Sequence, residues 1–261
     1  MLLAVDIGNT NIVWGVFDQR TLKGHWRIAT DPRKTADEYG ALFLSLLTNA
    51  EISAKHVSGA ILSSVVPALT GTFESMVSSH FDHDAMVVSP EMDSGLKLCY
   101  RNPAEIGSDR IVNAAAAYDK YKTDLIIVDF GTATTFCAVT KAGEYLGGVI
   151  APGLGISAEA LFSRTAKLPK VEFVRPQTVI GQDTGSSIQS GLLYGYAGLV
   201  DAIVRRMEQE LGHKATVVAT GGLSAIIARE TQTIQDVLPL LTLEGLELLD
   251  RRNVNRRAAR P

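Results

Sequence analysis

The feature that most constrains this chain is a short motif that occurs twice with the same order of residue types. In the first copy an apolar run ends in Asp6, Gly8 follows two residues later, and small polar residues lead into a second apolar run. In the second copy Asp129 and Gly131 hold the same places, 123 residues further along a chain of 261. A repeat at nearly half the chain length predicts two domains of similar fold, each of which opens with this motif.

Each copy of the motif predicts a tight hairpin between two buried strands. The apolar runs before Asp6 and after Asn11 favour strands, and glycine followed by asparagine favours the turn between them. Backbone N–H groups in such a turn can cradle phosphate oxygens, and a carboxylate at the strand end suits a metal ion. One copy alone is equally compatible with an ordinary asparagine turn, so it is the repetition that favours a pair of phosphate-binding hairpins.

The order of these motifs resembles that of the actin-like, sugar-kinase and Hsp70-like ATPases. Those proteins also have a late glycine pair that packs on the adenosine, and Gly221-Gly222 stands in the corresponding place here. The resemblance implies an α/β fold of duplicated actin-like (ribonuclease H-like) βββαβαβα domains, with ATP in a cleft between them. We expect the domains to span 1–118 and 119–250, and we expect 251–261 to be a solvated, disordered basic tail.

The periodicity of apolar residues predicts the other elements. In the first half it predicts a strand at 25–30, a helix at 35–49, a strand at 58–66, a helix at 69–80 and a strand at 85–89. In the second half it predicts helices at 157–165, 186–211 and 243–249, with an extended segment at 167–178. The apolar stripe of the longest helix is wide, which fits either a central core helix or a contact with a second subunit.

Composition excludes several classes of protein. At 46% hydrophobic and 20% charged residues the chain is typical of a globular protein, and its net charge of −3 gives no basic field for nucleic acid or anionic lipid. Cys99 and Cys137 stand in unrelated contexts, which favours a reducing compartment over a disulfide framework. No apolar run approaches the roughly 20 residues that span a bilayer. We therefore expect a cytoplasmic protein without nucleic-acid or membrane partners.

A third segment, Gly107-Ser108-Asp109-Arg110, stands at the start of a predicted helix. An ordinary helix start explains it, with Ser108 as the N-cap and Asp109 as a first-turn acid. The same carboxylate and guanidinium at a cleft would supply a general base and an anion clamp. The residues alone leave both interpretations open.

Taken together, the motifs resemble those of the type III pantothenate kinases as far as about Leu249. The motifs that carry the resemblance are Asp6 to Asn11, Ser63 to Pro67, Asn102 to Arg110, Asp129 to Thr134, Gly147 to Gly153 and Ala219 to Gly222. The resemblance implies a homodimeric kinase that uses ATP to phosphorylate the terminal hydroxyl of pantothenate. The product would be 4′-phosphopantothenate, in the first step of coenzyme A synthesis.

The resemblance also implies roles for individual residues. The general base would be Asp109. ATP would be bound by Asp6, Ile7, Gly8, Asn9, Thr10, Asn11, Ile12, Val13 and Thr132. Pantothenate would be held by Tyr100, Gly107, Ser108, Asp109, Arg110 and, from the neighbouring subunit, Thr184. Asp129 would bind a monovalent cation, potassium or ammonium, in addition to the Mg²⁺ that accompanies ATP; the hairpins carry no Walker-type lysine, so bound cations would have to offset the phosphate charge.

Two other functions remain open at this stage. A sugar kinase or an exopolyphosphatase of the same superfamily would lack the 107–110 segment and would not need potassium. A non-enzymatic regulator of the Bvg accessory factor type is the second alternative. The three acidic residues Asp6, Asp109 and Asp129 are all present, which favours an enzyme.

Overall fold

The computed structural model of the chain describes residues 1–165 and 167–257. These residues form two compact units. The first unit comprises Met1–Leu96, Arg101–Ala116 and the chain from Leu241 onward, and the second comprises Lys97–Tyr100 and Ala117–Leu240. The predicted limits of 1–118 and 119–250 differ from this division chiefly at the end of the chain, where the last helix lies in the first unit.

Strands and helices follow one another in the order expected for a repeated βββαβαβ unit. The first elements are β1 (Leu2–Ile7), β2 (Asn11–Asp18), β3 (Thr21–Ala29), α1 (Ala36–Asn49), β4 (Gly59–Ser64), α2 (Pro67–Phe81), β5 (Ala85–Val87), β6 (Lys97–Leu98) and α3 (Ser108–Tyr121). The later ones are β7 (Leu125–Phe130), β8 (Ala133–Val139), β9 (Glu144–Pro152), α4 (Leu154–Ser163), α5 (Thr184–Leu211), β10 (Thr216–Thr220), α6 (Ser224–Ile227), β11 (Asp236–Val237) and α7 (Leu241–Arg257).

Both units contain a sheet of the same topology. In the first unit the strand order is β3-β2-β1-β4-β5, and in the second it is β9-β8-β7-β10-β11, with β6 added at the β9 edge. In each sheet the first three strands pair antiparallel, and the next two are added in parallel. The limits of β1 and β7 differ by 123 residues, as do those of β3 and β9. The predicted duplicated α/β fold is therefore confirmed.

Local side-chain contacts explain where two helices begin. Thr35 precedes α1 and accepts a hydrogen bond from the N–H of Glu38, whose carboxylate accepts in return from the Thr35 N–H. Asp183 and Ser186 make the same reciprocal contacts at the start of α5. Because Asp183 is the capping residue, α5 begins at Thr184, two residues before the predicted start.

Each unit has its own hydrophobic core. In the first, the ring of Trp14 on β2 stacks on Phe43 of α1 with centroids 3.9 Å apart. In the second, Val200 and Val204 of α5 are fully buried against the sheet. No helix among the described residues has both the length and the apolar character needed to cross a membrane.

The end of the chain differs from the prediction. Helix α7 continues to Arg257, so residues 251–257 are helical, and the prediction of a disordered tail is wrong there. The amide of Asn253 is buried, where it accepts a hydrogen bond from the N–H of Asp93 at 2.9 Å and donates to the Asp93 carbonyl at 3.0 Å. Residues 258–261 of the predicted tail lie outside the described residues.

Candidate active site

The first hairpin places Asp6 at the end of β1, where it pairs with Val13. The N–H of Gly8 donates to the carbonyl of Asn11 at 3.0 Å and closes the turn. The side chains of Asn9, Thr10 and Asn11 are exposed, as expected for residues that contact a ligand, whereas those of Ile7 and Ile12 are fully buried. The two isoleucines can therefore offer a nucleotide only their backbone groups.

Thr30, which follows β3, makes two hydrogen bonds to the loop of this hairpin. Its hydroxyl donates to the carbonyl of Gly8 at 2.6 Å, and its N–H donates to the carbonyl of Thr10 at 3.1 Å. These bonds engage the carbonyl oxygens of Gly8 and Thr10 and fix the shape of the loop. Thr30 was not predicted from the sequence, because a threonine at a strand end is common and does not by itself indicate a functional site.

The second hairpin has a shorter loop and the same kind of support. Phe130 pairs with Thr134, so three residues form the loop, compared with four between Ile7 and Ile12. The N–H of Gly153 donates to the carbonyl of Thr132 at 3.1 Å, and a Cβ on Gly153 would lie 2.2 Å from that oxygen. Gly153 stands 123 residues after Thr30, so the same position of the repeat supports both loops.

Gly221 packs closely against the carboxylate of Asp129 and the backbone of Phe130. Gly221 has φ +90°, and a Cβ there would lie 2.6 Å from Asp129 Oδ1; a Cβ on Gly131 would lie 3.8 Å from the same atom. A carboxylate oxygen is a ligand that hard cations favour, and a side chain at position 221 would crowd it. The glycine pair that was assigned to the adenosine therefore also shapes the surroundings of Asp129.

Ser108 fixes the start of α3 to the end of β4. Its hydroxyl accepts from the N–H of Ser64 at 3.0 Å, donates to the Ser64 carbonyl at 3.1 Å and lies 3.0 Å from the Ser63 hydroxyl. A serine hydroxyl has one hydrogen and two lone pairs, and these three contacts use all of them. The hydroxyl thus positions the helix rather than capping it.

Asp109 follows immediately, in the first turn of α3. Its Oδ1 accepts from the N–H of Arg110 at 2.8 Å, and a Cβ on Gly107 would lie 2.5 Å from the same oxygen. Burial raises the pKa of the Asp109 carboxyl, and the hydrogen bond and charge of Arg110 offset this only in part. An acid that merely complements a helix dipole is solvated, so the raised pKa favours a chemical role.

Tyr100 and Gly147 lie together in the second unit. Gly147 has φ +119°, and a Cβ there would lie 3.2 Å from the ring of Tyr100. The tyrosine ring is half-buried, with its centroid 6.3 Å from that of Tyr145. Because Gly147 has no side chain, the ring of Tyr100 can lie against its backbone.

Thr184 is exposed at the first position of α5, beside an open groove of the second unit. Leu161, Leu168, Gln182, Ile188 and Leu192 are among the residues that line the groove with it. The carboxylate of Asp183 accepts from the N–H of Ser186 at 2.8 Å, which lowers the pKa of Asp183 and holds the helix start. Val179 and Ile180, which precede the start of α5, leave much of their apolar surface exposed.

Two similar sheets, each with a hairpin of phosphate-binding type, define the class of actin-like and sugar-kinase folds. A Campylobacter jejuni protein described as a Baf family transcriptional activator has a TM-score of 0.60 at 17% identity, over 97% of this chain and 99% of that one. The polyphosphate/ATP-glucomannokinase of Arthrobacter sp. strain KM has a TM-score of 0.52 at 16% identity, over 98% of both chains. At such identities these likenesses concern the fold alone.

Sequence similarity defines the family within this class. The family described as type III pantothenate kinase matches residues 2–206. A type III pantothenate kinase of Moorella thermoacetica is 50% identical over 253 residues, which cover 97% of this chain and 100% of the relative. The chain belongs to the type III pantothenate kinase family and is an enzyme of the kinase class, which confirms the resemblance found in the sequence.

Proposed function

We propose that this enzyme transfers the γ-phosphoryl group of ATP to the terminal hydroxyl of pantothenate and yields 4′-phosphopantothenate and ADP. The observation that carries the assignment of the base is the half-buried carboxyl of Asp109 in the first turn of α3, whose raised pKa suits proton transfer. In the reaction the hydroxyl oxygen forms a bond to the γ-phosphorus while the bond to the β–γ bridging oxygen breaks. The hydroxyl proton passes to Asp109, and the reaction is the first step of coenzyme A synthesis.

Each of the two hairpins is proposed to bind phosphate oxygens of ATP. In the first unit, the backbone and small polar side chains from Asp6 to Val13 bind phosphate oxygens; in the second, Thr132 does so. The supports at Thr30 and Gly153 keep both loops in shape before the nucleotide arrives. Preorganised donors of this kind are what phosphoryl transfer requires, because it depends on positioning more than on covalent chemistry.

Asp129 is the proposed ligand of a potassium or ammonium ion. The absence of a side chain at Gly221, where a Cβ would lie 2.6 Å from Asp129 Oδ1, keeps this carboxylate oxygen uncrowded and supports the assignment. When bound, this ion and the Mg²⁺ of the nucleotide offset negative charge on the phosphates. The hairpin residues 6–13 and 130–134 include no lysine or arginine that could do so instead.

The proposed pantothenate site includes Tyr100, Gly107, Ser108, Asp109, Arg110 and Thr184. The hydroxyl of Ser108 is already engaged in hydrogen bonds with Ser64. Ser108 is therefore proposed to contribute through its backbone and through the placement of Asp109. Arg110 is buried, with 6% of the residue exposed, and its guanidinium is proposed as the anion clamp for the pantothenate carboxylate.

The active form is proposed to be a homodimer in which Thr184 reaches the site of the partner. Leu192, Leu199 and Ile203 of α5 are only partly buried, although they belong to its apolar stripe. Together with the exposed Val179 and Ile180 they form an apolar surface that a second copy of this chain can cover. Free thiols at Cys99 and Cys137 support a cytoplasmic location.

A substrate panel tests the function. The purified chain is incubated with ATP, Mg²⁺ and K⁺ and with pantothenate, glucose or N-acetylglucosamine, and the products are identified by mass spectrometry. We expect one added phosphoryl group on pantothenate alone, and none on an analogue that lacks the terminal hydroxyl. Phosphorylation of a sugar in preference to pantothenate would return the sugar-kinase alternative, and no transfer to any acceptor would favour the regulator.

A further inference from the structure

A tyrosine of the long helix reaches the second hairpin with its hydroxyl. Tyr196 lies in the middle of α5 and is 6% exposed. Its hydroxyl donates to the carbonyl of Pro152 at 2.7 Å and lies 2.5 Å from the hydroxyl of Thr134, which is fully buried. A phenol has a single hydrogen, so when it donates to Pro152 the Thr134 hydroxyl is the donor in the second bond.

Both partners of this hydroxyl adjoin the loop that contains Thr132. Thr134 pairs with Phe130 at the end of the hairpin. Pro152 pairs with Ala133 and directly precedes Gly153, whose N–H holds the carbonyl of Thr132. One hydroxyl group therefore contacts both the residue that follows the loop and the strand end that supports the loop.

Packing of the ring does not by itself explain why residue 196 is a tyrosine. The ring packs in the core near Phe130, with centroids 6.4 Å apart, and a phenylalanine would fill the same space. Burying a hydroxyl costs free energy unless its hydrogen bonds are made. We therefore explain the hydroxyl of Tyr196 by its hydrogen bonds with Pro152 and Thr134. Those groups lie at the hairpin end of the sheet.

We propose that Tyr196 is a positioning residue for nucleotide binding, which holds the second phosphate hairpin on α5. The inference rests on the proposed function only in that the hairpin binds ATP through Thr132. Since α5 begins at Thr184, the same helix carries the residue proposed to reach the partner and the residue that holds the hairpin of its own chain.

The test measures affinity for a non-hydrolysable ATP analogue, Mg·AMPPNP, by calorimetry in potassium buffer without pantothenate. We expect Tyr196→Phe to weaken binding about tenfold, which is the upper range for one ordinary hydrogen bond. Thr134→Val keeps the shape and should weaken binding in the same direction. The double variant should bind no more weakly than Tyr196→Phe, because both substitutions break the same contact.

Tyr145→Phe is the matched control. Tyr145 is a fully buried tyrosine of the same sheet, and its hydroxyl contacts Cys137 Sγ at 3.4 Å instead of the hairpin loop. This variant should keep the wild-type affinity even if its melting temperature falls as much as that of Tyr196→Phe. An equal loss of affinity in the control would assign the effect to general destabilisation and overturn the proposal.

The outcomes separate this inference from the proposed function. Wild-type affinity in both Tyr196→Phe and Thr134→Val overturns the positioning role, whatever the enzyme phosphorylates. Should Tyr196→Phe fail to fold, Thr134→Val with unchanged melting temperature gives the same decision. The variants could also lose affinity in a protein that does not phosphorylate pantothenate. That result would support the role of Tyr196 and contradict the proposed substrate.

Discussion

Asp109 shows how a single residue can be unfavourable for stability and suited to chemistry. Its pKa is raised by burial, so the folded state binds the proton more tightly than the unfolded chain does. The stability linked to this group is present below the unfolded pKa of about 3.9 and is lost as pH rises through the folded pKa. Ionisation of Asp109 at neutral pH therefore works against the stability of the fold, as expected for the proposed base.

Asp109→Asn should separate these two effects. We expect kcat to fall by roughly 10²–10⁴, the usual cost of losing a general base, while the melting temperature at pH 7 rises. Asp119→Asn on the same helix is the control, because Asp119 makes a surface ion pair with Lys122 at 3.0 Å and such pairs contribute little. Turnover close to wild type in Asp109→Asn would return Asp109 to the role of a helix-start acid.

Substitution of Gly221 tests the proposed cation site at Asp129. In Gly221→Ala the new Cβ would lie 2.6 Å from Asp129 Oδ1, and the backbone at φ +90° would be strained. We expect the potassium concentration for half-maximal activity to rise at least severalfold. Gly71→Ala has open space around its Cβ and should leave the potassium response unchanged. An unaltered response in Gly221→Ala would argue against Asp129 as the cation ligand.

At the scale of elements, the sequence predicted the parts that depend on local pattern. The two hairpins, the capped helix α1 and the glycine pair after β10 follow from residue type and spacing, so they were found. Helix α5 begins two residues before its predicted start, because the capping contacts between Asp183 and Ser186 add a turn that the apolar periodicity does not reveal. The last helix was predicted too short, since the buried contact of Asn253 with Asp93 joins residues 160 positions apart.

The site follows the same rule. Types of residue and their spacing pointed to Asp6, Asp109 and Asp129, because acidic residues at strand and helix ends are visible in the sequence. The supports at Thr30, Ser63 and Tyr196 could not be predicted, because each depends on a hydrogen bond to a distant segment. The burial that raises the pKa of Asp109 and supports its proposed role as the base is not visible in residue spacing either.

At the scale of the whole molecule, the proposed dimer makes a prediction about which chain completes each site. Asp109→Asn and Thr184→Arg homodimers should both be nearly inactive. If each site takes Asp109 from one chain and Thr184 from the other, a mixed dimer contains one site with both defects and one with neither. Subunit exchange at equal concentrations should then restore about a quarter of the wild-type activity.

The control for this mixing experiment is a chain that carries both substitutions. Mixed with either single variant it leaves a defect in every site, so no activity should return. Sites built within one chain would give no recovery in the original mixture either, even when mass spectrometry confirms that mixed dimers have formed. That result would reject the shared site.

The most direct test of the whole account is the initial rate of 4′-phosphopantothenate formation from ATP and pantothenate, measured in potassium and in sodium buffers of equal ionic strength. We predict product formation in potassium, a similar rate in ammonium and a much lower rate in sodium, with Asp129→Ala slow in all three. Equal rates in potassium and sodium would contradict the assignment of Asp129, and no phosphopantothenate in any buffer would contradict the proposed function itself.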